Sequence, residues 1–170
     1  MGTLVFVTGG ARSGKSRFAL DRALEQAGSA VTFIAPAQAF DAEMFERIEH
    51  HRIERQNLGW TTLEEPLDLN AAFSSVRTKT VVVDCLSLWV SNLLLSGVSE
   101  LETLERTREW LEGTSDKILY VVSNEVGLGI VPQYPLGRQF RDVLGRTNQL
   151  VANRSSEAYL LVAGLPLRLK

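Results

Sequence analysis

Five short stretches of this chain are apolar almost throughout: "TLVFVTG" (3–9), "AVTFIAP" (30–36), "KTVVVDC" (79–85), "KILYVVSNE" (117–125) and "EAYLLVAG" (157–164). A strand wetted on one face alternates apolar and polar residues, whereas a strand covered on both faces reads as a continuous apolar run. Helical patterns separate these runs, over 14–26, 41–56, 67–76, 86–95, 100–112 and 138–153. Strand and helix therefore alternate along nearly the whole chain. That order predicts an α/β three-layer sandwich, a mostly parallel sheet with helices on both faces. Two weaker strands, "WTTLEE" (60–65) and "LRLK" (167–170), bring the sheet to about seven. Pro166 just before the last of them suits an edge strand at the C-terminal end. In such sheets ligands bind beyond the carboxyl ends of the strands.

At 170 residues the chain is long enough for one core, and 1–170 is read as a single domain. The formal net charge is −2 with 22% charged residues, so no basic excess points to a nucleic acid. The single cysteine, Cys85, excludes an internal disulfide and a cysteine-based zinc site, and fits a reducing cytosol. The opening "MGTLVFVTGG" is too short for a secretory core and lacks a basic flank, and position 6 lacks the Ser or Thr that myristoylation prefers. No apolar run reaches the roughly 18 residues of a membrane span. A cytoplasmic protein without a membrane anchor is expected.

The first strand runs into "GGARSGKS" (9–16), which fits G-x-x-x-x-G-K-[ST]. Gly9 and Gly14 permit backbone angles closed to other residues, so that successive N–H groups of Gly10, Ala11, Arg12 and Ser13 can turn onto phosphate oxygens. The helix beginning near Gly14 adds its positive end. Lys15 is expected on the β- and γ-phosphates, and the Ser16 hydroxyl on Mg²⁺. The competing account is a plain strand–turn–helix link. The strand before and helix after are the context the motif needs, so a P-loop NTPase fold of the RecA-like kind is expected. The motif leaves open which nucleotide binds and which bond breaks.

"TVVVD" ends in Asp84, a carboxylate at the end of a buried strand. It is a second candidate Mg²⁺ ligand; its alternative is an N-cap for the helix starting "CLSLW".

Both histidines stand together in "ERIEHHRIER" (46–55). At about 100° per residue, with Ile48 as reference, His51 falls about 60° away beside Met44, and His50 about 200° away among Glu43, Glu46 and Glu54. His51 suits packing. His50 is presented outward, either as a solvated histidine or as a group for acid–base or nucleophilic chemistry. Neighbours at i, i+1 cannot chelate one metal from a regular helix.

The set "VTGGARSGKS", "AEMFERIEHHR", "DCLSLWVSNLL" and "SNEVGLGIVP" resembles the bifunctional adenosylcobinamide kinase/adenosylcobinamide-phosphate guanylyltransferase family of cobalamin biosynthesis. The likeness runs to the closing "AYLLVAGLPLRLK". It implies phosphorylation of the aminopropanol hydroxyl of adenosylcobinamide by ATP or GTP. GMP would then pass from GTP to that phosphate through a guanylylated histidine, matching His50. It implies nucleotide contacts from Pro36, Ala37 and Gln38, from Arg52, Ile53, Glu54 and Arg55, and from Glu64, and it implies a homotrimer. "NEVGLGIVP" is expected to shape the substrate cleft, with Arg141, Arg146 and Asn148 as candidate contacts to the anionic substrate. The chain is short between "SNLLLSG" and "TLERTREW", where the family's pattern is fuller. The readings that compete are a RecA-like ATPase module acting on nucleic acid or motion, and a small-molecule kinase in which His50 is idle.

Overall fold

The computed structural model describes residues 2–38 and 42–170; the side chains of residues 42–45, 47, 50, 51 and 54 lie outside the described set. In chain order the elements are β1 (Thr3–Gly9), α1 (Lys15–Ala27), β2 (Val31–Ala35), α2 (Ala42–Asn57), β3 (Thr61–Glu64), α3 (Leu69–Ser75), β4 (Thr80–Asp84), α4 (Leu86–Leu95), α5 (Glu100–Gly113), β5 (Ile118–Asn124), α6 (Pro135–Arg154), β6 (Glu157–Val162) and β7 (Leu165–Arg168). The strands form one seven-stranded sheet in the order β3-β2-β4-β5-β1-β6-β7. Every neighbouring pair is parallel except the β6–β7 hairpin.

The apolar runs are buried on both faces, and their period of two splits the core in two. Phe6, Ile34, Val81, Val83, Leu119 and Val121 face α3, α4, α5 and α6, where Trp89 and Trp110 meet edge to face at 6.4 Å. Their neighbours Val5, Val7, Phe33, Val82, Tyr120 and Val122 face the other way, onto Ala19 and Ala23 of α1. α1 is also held to β6 by Arg22, which donates to the Tyr159 hydroxyl and the Glu157 carboxylate, each at 3.3 Å. The Tyr159 hydroxyl donates to Glu157 as well; this bond, with the Arg22 charge and against the opposing effect of burial, holds the Glu157 carboxyl below its usual value.

Two of the boundaries that differ from the sequence expectation involve proline. β7 begins at Leu165, so Pro166 lies within the strand, opposite Leu161, instead of before it. An edge strand tolerates the missing N–H. α6 begins at Pro135, three residues before the expected start, with proline in its first turn. Proline there removes an N–H that has no helical partner in any case.

Candidate active site

The loop between β1 and α1 has the conformation its composition predicts, with one correction. Gly14 has φ 92°, the left-handed region that favours glycine. Gly9 does not have positive φ; it is glycine for space, since a Cβ there would sit 2.5 Å from the Ser13 Oγ and 2.7 Å from the Leu161 carbonyl oxygen. Arg12 takes φ 56° without being glycine. Gly10, Ala11 and Arg12 are exposed, whereas Ser13 and Lys15 are buried. The Lys15 ammonium donates to the Gly10 carbonyl at 3.0 Å, folded along the loop. α1 carries no acidic residue in its first turn and no side-chain cap, so nothing in the helix itself neutralises its positive end. The Ser13 Oγ is buried without a protein partner. These features fit a bound phosphate: a cradle kept open by glycine, an unneutralised helix terminus, and a buried hydroxyl lacking an acceptor.

Asp84 stands at the carboxyl end of β4, with β5 between it and β1, about 10 Å between strand axes. α1 packs across β4 and β5. The residue capping α4 is Cys85, with no side-chain cap bond, so Asp84 is not the N-cap. Burial first, then the Asp84 charge, push the Cys85 thiol above its ordinary value, and Lys15 opposes them. Both charges therefore reach the same point at the strand ends. Cys85 is a packed residue bonded to Ser87.

A second feature lies along the edge strand β3. A cavity of about 320 Å³ opens between α2 and β3, lined by Arg52, Gln56, Trp60, Thr62 and Glu64. Arg52 and Glu64, from the expected set, thus come together. Arg52 Nε is buried without a partner, while its Nη2 donates to Glu49 at 2.8 Å. Arg55 lies beneath, buried, its guanidinium 3.9 Å over the Phe33 ring and its Nε donating to Thr62 Oγ1 at 3.3 Å. Ile53 is 52% exposed and faces away from the cavity. β3 is four strand spacings from β1, about 19 Å, so the cavity and the phosphate loop are well separated across the sheet.

His50 and His51 lie in α2, but their side chains are outside the described set, as is that of Glu54. Both positions lie within the helix, where the projection can be set against the described neighbours. Position 50 falls about 40° from Glu46 and about 20° from Asn57, both exposed, whereas Ile48 and Arg55, within about 20° of each other, face inward.

Pro36 is buried and Ala37 and Gln38 are half-buried after β2. Their position depends on a residue the sequence reading passed over. Asn92, buried in α4, donates to the Pro36 carbonyl at 2.8 Å and the Pro66 carbonyl at 3.1 Å, tying together the loops after β2 and β3. A lone amide inside the apolar "LSLWVSNLLL" is the signal for it. Asn92→Leu removes both donors and strands two carbonyls. It is expected to cost about 2 kcal/mol and lower the unfolding midpoint by roughly 4–8 °C by scanning calorimetry.

Of the residues expected on the substrate anion, Arg146 is paired with Glu100 and Arg141 with Asp142. Asn148 accepts from Ser123 Oγ at 2.6 Å and donates to the Asn124 carbonyl at 3.1 Å, so it braces the end of β5. The segment after β5 starts against the phosphate loop, with Glu125 N–H on the Gly9 carbonyl at 2.9 Å, and exposes Leu128, Ile130 and Val131.

Sheet order and loop together define a P-loop nucleotide-binding protein with the RecA-like fold. Solved structures agree at the level of fold. The flagellar accessory protein FlaH from Methanocaldococcus jannaschii superposes with a TM-score of 0.55 at 14% identity, covering 99% of this chain and 78% of that one. A KaiC-like protein from Pyrococcus horikoshii gives 0.54 at 13%, covering 94% and 70%. Sequence comparison is more specific. Residues 5–169 match the family model described as cobinamide kinase / cobinamide phosphate guanyltransferase. The bifunctional adenosylcobalamin biosynthesis protein CobP of Pseudomonas aeruginosa is 44% identical over 169 residues, 96% of this chain and 95% of that protein. The bifunctional adenosylcobalamin biosynthesis protein CobU of Escherichia coli is 36% identical over 183 residues, 98% and 99% of the two chains. The chain belongs to the cobinamide kinase / cobinamide phosphate guanyltransferase family, a family of transferases with two activities.

Proposed function

We propose that this chain phosphorylates the aminopropanol hydroxyl of adenosylcobinamide with ATP or GTP, and then passes GMP from GTP to the new phosphate through a guanylyl-His50 intermediate. The observation that carries the reading is the glycine-lined phosphate loop at β1, with its buried, unpartnered Ser13 hydroxyl and uncapped helix terminus, in a chain that matches the family model along residues 5–169. In the kinase step the substrate hydroxyl oxygen attacks the γ-phosphorus and the nucleoside diphosphate leaves. In the second reaction a neutral His50 nitrogen attacks the α-phosphorus of GTP; a P–N bond forms, the bond to the bridging oxygen breaks, and pyrophosphate leaves. A phosphate oxygen of the corrinoid then attacks the same phosphorus and the P–N bond breaks, giving adenosyl-GDP-cobinamide. Dividing the transfer this way is ordinary covalent catalysis.

In this reading Lys15 and the N–H groups of residues 10–16 hold the β- and γ-phosphates and offset charge as it moves onto the leaving group. Arg52, with its unpartnered Nε, and Glu64 contact the nucleotide in the guanylyl step, for which α2 must approach the phosphate loop from its place at β3, with the 36–38 loop between them. Arg55 acts from beneath, by fixing Thr62. The Ser16 hydroxyl and the Asp84 carboxylate are the oxygen ligands this chain offers to Mg²⁺, which when bound neutralises phosphate charge. Among the described residues no cluster of three His, Cys, Asp or Glu exists for a metal held by protein alone. That suits an ion shared with the nucleotide. No described helix is long and apolar enough to cross a membrane. A cytoplasmic location, which the single cysteine suits, and the homotrimer that the family resemblance implies complete the proposal.

The test uses GTP labelled at the α-phosphate, with Mg²⁺, followed by denaturation. Acid-labile, base-stable label on the protein is the expected result, because protonating the imidazole makes it a good leaving group. Phosphorylation of adenosylcobinamide with no protein label would instead favour a simple kinase. Hydrolysis stimulated by DNA, without transfer to a corrinoid, would favour an ATPase module.

A further inference from the structure

The phosphate loop is not free-standing: the β6–β7 hairpin touches it. Val162 pairs with Leu165, so the hairpin turns through two residues, Ala163 and Gly164, at φ 51° and φ 80°. Both central residues with positive φ make the tight turn whose twist matches antiparallel strands. Its tip meets the loop in two ways. Gly164 N–H donates to the Ser13 carbonyl at 2.9 Å. A Cβ on Gly14 would lie 3.1 Å from the Gly164 Cα. Deeper in, a Cβ on Gly9 would meet the Leu161 carbonyl of the same hairpin.

We infer that the Ala163–Gly164 turn is a clasp that positions the phosphate loop, and that Gly164 is a positioning residue for nucleotide binding. The argument is one of peptide geometry. In a trans peptide the carbonyl of one residue and the N–H of the next point in opposite directions. Drawing the Ser13 carbonyl onto the hairpin therefore turns the Gly14 N–H away from the hairpin, onto the side of the loop where phosphate oxygens collect. Without the clasp this peptide is free to flip, and the loop must order its amides as ligand binds, which lowers affinity. Both turn residues are exposed, and a Cβ on Gly164 would meet nothing within 4 Å. Glycine is kept at 164 for its backbone and its N–H, and packing does not require it. The inference rests on the reading that this loop holds the triphosphate.

The experiment measures Mg²⁺-dependent binding of a fluorescent N-methylanthraniloyl-GTP, with thermal midpoints, for four variants. Gly164→Pro lacks the N–H and cannot take φ near +80°; its affinity is expected to fall about tenfold. Gly164→Asn keeps the N–H and tolerates positive φ, and should bind within about twofold of the parent. Val151→Ala, in the buried core of α6 remote from the loop, should lower the midpoint while leaving affinity unchanged. Should Gly164→Pro be too unstable to purify, Gly164→Val, which keeps the N–H but resists positive φ, should weaken binding with the same sign. Normal affinity in Gly164→Pro or Gly164→Val overturns the clasp, as does weakening in Val151→Ala of equal size at a matched midpoint, or failure of Gly164→Asn to restore binding. A parent protein that does not bind the GTP probe at all would overturn the proposed function together with the clasp, so the two failures are separable.

Discussion

Lys15→Ala is expected to abolish both transfers while leaving the fold in place. The prediction follows from what each reaction does with the triphosphate. The kinase step moves the γ-phosphoryl group, and the guanylyl step expels the β- and γ-phosphates as pyrophosphate, so in both the developing charge sits in the glycine-lined loop. One preorganised donor aimed at such charge is worth about 10²–10³ in rate. Lys15 is buried at the first position of α1 and already lies along the loop on the Gly10 carbonyl. That carbonyl belongs to an exposed residue and can turn to water when the ammonium is lost, so the midpoint should move by only a few degrees. Both kcat/KM values, for corrinoid phosphorylation and for formation of the labelled enzyme, should drop at least about a hundredfold. Normal labelling in Lys15→Ala would sink the view that one loop serves both reactions. The cavity by β3 would then need a triphosphate site of its own.

How much of this was readable beforehand varies with the range of the interaction. β1 has the expected bounds because its whole run is apolar and ends at the motif glycine. The seven strands and the two helix-covered faces follow from pattern alone. Pro166 misled, because proline reads as a boundary while an edge strand accepts it, and Pro135 went unread as the start of α6, where a helix first turn accepts it. Gly9 was recognised for the wrong reason: its lack of a side chain matters through the Leu161 carbonyl, some 150 residues away in the chain, and no local pattern reports that. The hold of Gly164 on Ser13 is hidden for the same reason. In the cavity, Arg52 and Glu64 came from family resemblance, while Gln56, Trp60 and Thr62 complete it through the packing of α2 on β3. Arg141, Arg146 and Asn148 looked available as a sequence of polar residues; in the fold each already has a protein partner.

His50→Ala is expected to remove the guanylyl label entirely while corrinoid phosphorylation continues at close to the parent rate, and His51→Ala is expected to keep the label. The split is sharp because the two histidines differ in position by about 100° on one helix. Position 50 shares its face with the exposed Glu46 and Asn57, and position 51 falls toward the inward Ile48 and Arg55. Removing a nucleophile eliminates the covalent path, whereas a residue outside that path acts on stability first. On the proposed reading the kinase step needs neither ring, since its acceptor is the substrate hydroxyl and its phosphates are held by the loop at β1. The sheet order gives the prediction its edge: α2 packs at β3, four strand spacings from that loop. A variant confined to α2 should therefore separate the two activities, whereas Lys15→Ala should not. Loss of phosphorylation in His50→Ala, or survival of the label there, would mean that the work divides along the sheet in some other way.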